Sequence, residues 1–599
     1  MKNQNRKEFQ IFWQNICLFG TVAIAIASSA TTSIASPTTN WQVNTEKTSP
    51  ISDDERNSVL TQIPSPVRPT IPQPPTIPTP GPAEDLLQTP PPSPSAPQQL
   101  PEIPQTIVIK KFEFIGNTAF SNKELAKATE QFIGKPITFA QLLQAEAIIS
   151  QLYIKAGYIN SGAVIPAEQS LPPNQAVVKV QIVEGGLEKI QVTGTSRLDP
   201  GYIKSRLAIA TRKPLNRDRL LQALQLLQLN PLIENISAEL SAGTSPELSL
   251  LKVTVKEANS LSDEFFVDNG RAPSVGSIRR GYRLSEGNLL GFGDQLRGTY
   301  TNTDGSNSYD ISYTIPINPR NGTLQIAYGA SNTEVVEPPF DRLDILGDSQ
   351  SLELTLRQPL LQTPKEEFVL GLTFSHQESK TSLLGLGFPI SLGADDNGST
   401  RISALRFFQE FTNRNPKEVF ALRSQFNLGI GAFNATIHEE FPDSRFFYWR
   451  GQGQYVRLLA PETLLVVRSD LQFTTRPLVP LEQFTIGGLG SVRGYRQDLL
   501  LTDNGAFLSA QVQLPIVRVP EVKGVLHLIP FVDFGVGWNS SADYDLNSGT
   551  LLSTGLGLQW QMSDWLNMRL DWGVPLISVD GGSSLQENGL SFSVNINSF

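Results

Sequence analysis

The stretch GVLHLIPFVDFGVGW, Gly524 to Trp538, decides how the C-terminal half of the chain folds. Leu526, Leu528, Val532, Phe534, Val536 and Trp538 share one parity and are all apolar. The other parity holds His527, Ile529, Phe531, Asp533, Gly535 and Gly537. A period of two marks a strand with two unlike faces, one greasy and one mixed. The mixed face carries a single acid, Asp533.

The same alternation runs through the neighbouring sequence. TLQIAYGA sets Leu324, Ile326 and Tyr328 against Thr323, Gln325 and Ala327. LNMRLDW sets Leu566, Met568, Leu570 and Trp572 against Asn567, Arg569 and Asp571. From about residue 260 to the end, segments of about ten residues repeat this pattern between Gly, Asn, Asp and Pro, with no helical periodicity. A soluble sandwich does not sustain such a run; a transmembrane all-β barrel does, with apolar residues facing lipid and polar residues facing the lumen. The segmentation predicts about 16 antiparallel strands. Short and long connections alternate, as in barrels with tight turns at one end and loops at the other. The longest loop spans about 476–504, between the eleventh and twelfth strands.

That loop contains GGLGSVRGYRQD, Gly487 to Asp498. Asp533 points into the lumen by parity. An isolated carboxylate in a narrow, partly dehydrated lumen is costly, and an arginine offers charge-assisted, bidentate pairing. Arg493 is the candidate partner, with Arg496 a nearby competitor. Gly535 and Gly537 fit either of two readings: room for a loop backbone, or tapered packing of the barrel.

Upstream, residues 107–258 contain a degenerate repeat in the order β-α-α-β-β. The first copy, 107–184, opens with IVIKKFEFIGN and has a capping box at Ser121 and Glu124. Its long helix runs from about Phe139 to Ala156. The second copy, 185–259, opens with LEKIQVTGTSRL and has helices near Asp199 and Asn216. Before the repeats lies a proline-dominated linker, 36–106, which cannot build a core and reads as a largely disordered, semi-rigid spacer. Residues 1–35 read as a signal peptide: Lys2, Arg6 and Lys7, an apolar stretch from Ile16 to Ala27, then Ser33-Ile34-Ala35. The single cysteine, Cys17, lies inside it, so the processed chain carries no disulfide and no thiolate metal site.

By these residues the chain resembles a known family. LYIKAGYINSGAVIPAEQSLPPNQAVVKVQIVEGGLEKIQVTG, beginning at Leu152, resembles the first POTRA domain of two-partner secretion transporters and its junction with the second. These are the haemolysin and filamentous-haemagglutinin secretion proteins, called TpsB. Val492-Arg493-Gly494-Tyr495 resembles their VRG(F/Y) motif. PFVDFG, with Phe531, Asp533 and Gly535, resembles the paired xFxDxG motif. The resemblance spans about 107–599. It implies two α+β POTRA domains before a sixteen-stranded outer-membrane barrel. The resemblance further implies that the VRGY loop folds inward and that its arginine meets the aspartate of the wall.

The implied function is export of an unfolded exoprotein, captured by POTRA domains in the periplasm of a diderm bacterium and passed through the pore. The implied partners are that exoprotein, outer-membrane lipid, and the barrel-assembly machinery and periplasmic chaperones during biogenesis. The transporter is expected to be a monomer. The runner-up is a barrel-assembly factor of the same superfamily, and the third reading is a passive porin. In the first POTRA domain Leu142, Ile149, Tyr158 and Ile159 either contact an extended substrate joining by β-augmentation or pack the core. The segment Ser52 to Gln62 is either a pore-plugging helix or part of the linker.

No enzyme is expected. His376, His438 and His527 are scattered through strand and loop contexts, and the sequence suggests no cofactor and no metal. A formal net charge of −9 gives a nucleic-acid partner no support.

Overall fold

The computed structural model describes residues 86–88 and 106–598, apart from 168, 170, 441, 542–548 and 580–583. The signal peptide, the segment Ser52 to Gln62 and most of the linker lie outside the described residues.

Two small domains precede the barrel. Before them comes a short strand from the linker, β1 (Leu87–Gln88). The first domain comprises β2 (Ile107–Ile115), α1 (Asn122–Thr129), β3 (Pro136–Ile137), α2 (Phe139–Lys155), β4 (Gly162–Val164) and β5 (Ala176–Val183). Both helices start on full capping boxes, Ser121 with Glu124 and Thr138 with Gln141, which satisfy amides the first turn would otherwise leave unpaired. The second domain comprises β6 (Gly186–Thr193), α3 (Pro200–Ala210), α4 (Arg217–Gln228), β7 (Ile233–Ala242) and β8 (Leu248–Glu257).

The repeat also extends to an acid at the end of the last strand, buried in the first copy and half-buried in the second. Glu184 follows β5 and accepts the amides of Thr118 and Ala119, while Glu257 ends β8 and accepts those of Ser196, Arg197 and Leu198. Burial raises the pKa of each carboxyl, but these donors prevail and hold both below the usual carboxylate range.

A short piece of the linker, residues 86–88, joins the second domain. β1 adds in parallel to the edge of β7, with Leu87 opposite Ala238, and Leu86 is 2% exposed in the core of the second domain. The physical reason is local. Residues 83–89 are proline-free and hold two leucines, so this stretch keeps the amide donors that a ladder needs and the apolar side chains that a core takes.

Sixteen long strands then close a barrel. They are β9 (Leu261–Asp268), β10 (Arg279–Gly287), β11 (Gln295–Thr303), β12 (Ser306–Pro316), β13 (Thr323–Glu334), β14 (Ile345–Gln362) and β15 (Glu366–Leu383). A two-residue strand, β16 (Leu386–Gly387), turns back on β15. The barrel continues through β17 (Ser399–Asn415), β18 (Glu418–Ile430), β19 (Phe447–Ala460) and β20 (Thr463–Thr474). A long connection holds β21 (Phe484–Ile486) and β22 (Leu500–Thr502). The wall resumes with β23 (Asn504–Val519), β24 (Gly524–Trp538), β25 (Gly549–Met562), β26 (Leu566–Pro575) and β27 (Leu590–Ile596), which pairs with β9.

The two faces of the wall follow the alternation. Val532, Phe534, Leu556, Leu558, Met568, Leu570 and Trp572 are exposed on the outside, whereas Phe531 and Asp533 are buried inside. Near one rim Phe473 stacks on Trp449 and meets Trp538 at a tilt, with ring centroids 5.9 Å apart in each pair, as in the aromatic girdles of a membrane interface. The second domain is seated at the opposite end. Asp199 donates its amide to Gly291, Arg197 pairs with Glu286 at 2.7 Å, and Arg206 reaches Asn321 at 2.8 Å.

Candidate functional site: a loop held inside the barrel

The connection from β20 to β23 leaves the wall at the end of the barrel far from the small domains and returns as a hairpin into the lumen. β21 and β22 pair antiparallel, Phe484 opposite Thr502, and carry the glycine-rich tip between them. Phe484, Ile486, Val492, Tyr495 and Leu500 form a small apolar core with Phe507 and Leu551 of the wall. Burial of these side chains gives the loop a packed seat rather than a tether at its ends alone.

Arg493 sits at the centre of that seat and is 2% exposed. Its Nε donates to Asp533 Oδ2 at 2.7 Å and its Nη2 to Oδ1 at 2.9 Å, while its main-chain N–H also reaches Oδ2 at 3.1 Å. Nη1 donates to Gln511 Oε1 at 3.0 Å and to Asp571 Oδ1 at 3.3 Å. Asp571 is itself gripped by Arg569, at 2.7 and 2.8 Å. The Arg493 guanidinium carbon lies 3.5 Å from the centroid of the Phe531 ring, a cation–π contact on the same strand as Asp533. Two arginines and two aspartates therefore face one another, with Arg493, Asp533 and Asp571 buried and Arg569 20% exposed at the edge. A planar fork suits this arrangement and a lysine would not.

The flanking motif residues hold the tip against β24, β25 and β26. Val492 lies over Gly535: a Cβ added at Gly535 would stand 2.5 Å from Ile486 Cγ2 and 2.8 Å from Val492 Cγ2. Gly494 has φ +92° and passes so close to Gly573 that a Cβ would be 2.9 Å from the Gly573 carbonyl carbon. The Tyr495 hydroxyl accepts the amides of Leu552 and Ile577 and lies 2.8 and 2.9 Å from their carbonyl oxygens.

Arg496 is not the partner of Asp533. It pairs with Glu337 of another loop and lies 3.5 Å from Glu587.

A second buried pair ties down the base of the loop. Glu482 accepts from Arg406 Nη1 and Nη2 at 2.9 and 2.7 Å and from the Tyr448 hydroxyl at 2.6 Å. Sequence reasoning missed this pair, along with Gln511 and Asp571. The one available signal was the inward parity of Arg569 and Asp571 in LNMRLDW, which marks them as lumenal without naming a partner.

The candidate substrate residues of the first domain divide. Leu142 and Ile149 are 1% and 0% exposed and pack its core, because the helix turns that face onto the sheet. They are core residues and cannot meet a substrate from the surface. Tyr158 is half-buried against the same core, and Ile159 against the core of the second domain.

Among the described residues, no group of three or more His, Cys, Asp and Glu side chains could hold a metal ion. No helix among them is long and apolar enough to cross a membrane.

POTRA domains on a sixteen-stranded barrel, with a loop locked to the inner wall, define a class of outer-membrane transport proteins. Residues 107–185 match the POTRA domain of ShlB type, and residues 247–560 match the haemolysin secretion/activation proteins ShlB/FhaC/HecB. The chain belongs to this family, the transporters of two-partner secretion. It is 22% identical to the heme/hemopexin transporter protein HuxB of Haemophilus influenzae (strain 86-028NP) over 73% of this chain and 78% of that one. It is 22% identical to the outer membrane transporter CdiB of Dickeya dadantii over 78% and 82%. The structure of CdiB from Escherichia coli superposes with a TM-score of 0.66 at 20% identity, covering 84% of this chain and 92% of that one, a likeness of fold.

Proposed function

We propose that this protein is an outer-membrane translocase that captures one unfolded exoprotein in the periplasm through its POTRA domains and exports it through the barrel. The observation that carries the reading is the loop. It fills part of a polar lumen, and its hairpin strands pair with each other and not with the wall, so contacts made through side chains hold it there, with the Arg493–Asp533 pair at their centre. A plug so held can be displaced by a chain in transit and can return to one position. The remaining lumen is lined by Ser351, Glu353, Arg406, Arg450, Gln452 and others, a polar wall suited to an extended polypeptide.

Capture is supported by the sheet edges. The β7 edge of the second domain already accepts an extended segment, Leu87–Gln88. In the first domain, β4 is a sheet edge, and Val164 on it and Ile154 on the adjacent α2 are 49% and 52% exposed. Such an edge binds an extended chain by main-chain pairing, with apolar side chains at alternate positions. Folding of the exoprotein outside supplies direction, because a folded chain cannot slide back. The transporter acts as a monomer, and its own barrel depends on the assembly machinery and periplasmic chaperones for insertion.

A barrel-assembly factor would share this architecture. Deletion of the gene separates the two. The expected result is loss of one large exported protein with the other outer-membrane barrels unchanged, measured by comparing the secreted and outer-membrane proteomes. A general loss of outer-membrane barrels would overturn the reading.

A further inference from the structure

The barrel closes where β27 meets β9, and this is its shortest ladder. Four residue pairs join these strands, from Ser593 opposite Asp268 to Ile596 opposite Phe265. Every other joint between the long strands has at least seven. Asn269, directly after β9, extends the short ladder with main chain and side chain together. Its N–H donates to the Phe592 carbonyl at 3.3 Å, its Oδ1 accepts the Phe592 amide at 2.8 Å, and its Nδ2 donates to the Leu590 carbonyl at 2.8 Å.

Gln586 holds Asn269 from the other side. It lies in the connection between β26 and β27 and is 2% exposed. Its Nε2 donates to the carbonyls of Asn269 and Arg271, the latter at 2.8 Å. Its Oε1 accepts the amide of Gln497 at 2.9 Å. Gln497 belongs to the tip of the locked loop, four residues beyond Arg493. One buried carboxamide thus touches both the loop and the seam, and an amide is the side chain with donors and an acceptor at one end.

We propose that Gln586 is a positioning residue that couples the loop to the barrel seam. While Arg493 is seated, Gln497 holds Gln586, and Gln586 holds Asn269 against β27. When the tip leaves the lumen, Gln586 loses its anchor and the three hydrogen bonds of Asn269 loosen. The joint with the fewest ladder pairs is then free to give while a polypeptide passes. This rests on the reading of the loop as a displaceable lock.

The test is hydrogen exchange, followed by mass spectrometry, on the full-length protein in lipid nanodiscs. Seam peptides covering 261–270 and 590–597 are compared in wild type, Arg493→Ala, Gln586→Met and the double variant, with export measured in parallel. Each single variant is expected to speed seam exchange roughly ten-fold, the scale of one or two buried hydrogen bonds. The double variant should be no faster than the faster single, because both changes open one connection. Unchanged seam exchange in Arg493→Ala, or single effects that multiply in the double, would overturn the coupling. Should Gln586→Met fail to insert, Gln586→Asn, which keeps the amide but shortens its reach, takes its place. Export lost with the seam unmoved removes the coupling and leaves the lock. A seam that loosens while Arg493→Ala exports normally removes the lock and leaves the coupling.

Discussion

Arg493→Ala is expected to abolish export while the barrel still inserts. The substitution removes every hydrogen bond the guanidinium makes to Asp533, Asp571, Gln511 and Ser509, along with its contact to the Phe531 ring. Asp533 keeps the hydroxyl of Ser509, at 2.6 Å, but no longer faces a cation of its own. Breaking a buried pair by deleting one partner typically costs about 3–5 kcal/mol, because the remaining charge is left uncompensated. That is comparable to the whole stability of a packed loop, so the tip leaves its seat and occupies the lumen in no fixed position. The wall strands keep their ladders, so heat-modifiable migration of the folded barrel should be unchanged. Exoprotein in the medium, normalised to barrel in the membrane, is the readout, and Asp533→Ala should behave alike. Arg493→Lys should not restore export, since a point charge cannot reproduce the fork that grips both oxygens of Asp533.

The second large effect involves no charge at all. Gly494→Val should be as defective as Arg493→Ala, although every member of the ion cluster remains. A φ of +92° is hostile to a β-branched residue. The added Cβ would also stand 2.9 Å from both the carbonyl carbon and oxygen of Gly573. Those atoms belong to β26, whose ladder to β25 cannot shift to make room. The tip must therefore lift away and pull Arg493 out of bonding distance. Accessibility of a cysteine placed at Ser491 to a membrane-impermeant thiol reagent reports this directly, since the processed chain is expected to carry no cysteine of its own. Strong labelling in the Gly494→Val background is expected, and protection equal to that in the Gly494 chain would show that the tip tolerates the side chain.

Much of this was legible in the sequence because lipid is a strict solvent. A strand with hydrocarbon on one side and a polar lumen on the other must alternate, and Gly524 to Trp538 alternates over its whole length. The same parity turns Asp533 inward. Helix starts were legible for a different reason: Ser121 and Asn216 are capping residues, and their side chains accept amides of the first turn. What remained hidden depends on contacts between segments distant in the chain. Gln511 and Asp571 meet Arg493 from β23 and β26, and their heights on the wall follow from the closed register, which no local pattern encodes. Glu482 and Arg406 are 76 residues apart and meet through a loop whose own hairpin has three residues on each side. Leu142 and Ile149 have the composition of a binding face and of a core face alike, and burial alone separates the two.

The central claim, that an exoprotein passes through this lumen, is tested most directly by photo-crosslinking in cells that are exporting. A photoreactive amino acid is placed at Gln452 or Ser351, which line the lumen, and at Leu354, which is 45% exposed on the outer face. The expected result is a crosslink to the exoprotein from the two lumenal positions and none from Leu354. Crosslinks to the exoprotein from Leu354 alone, or to other outer-membrane barrels from any of the three, would contradict transport through the pore.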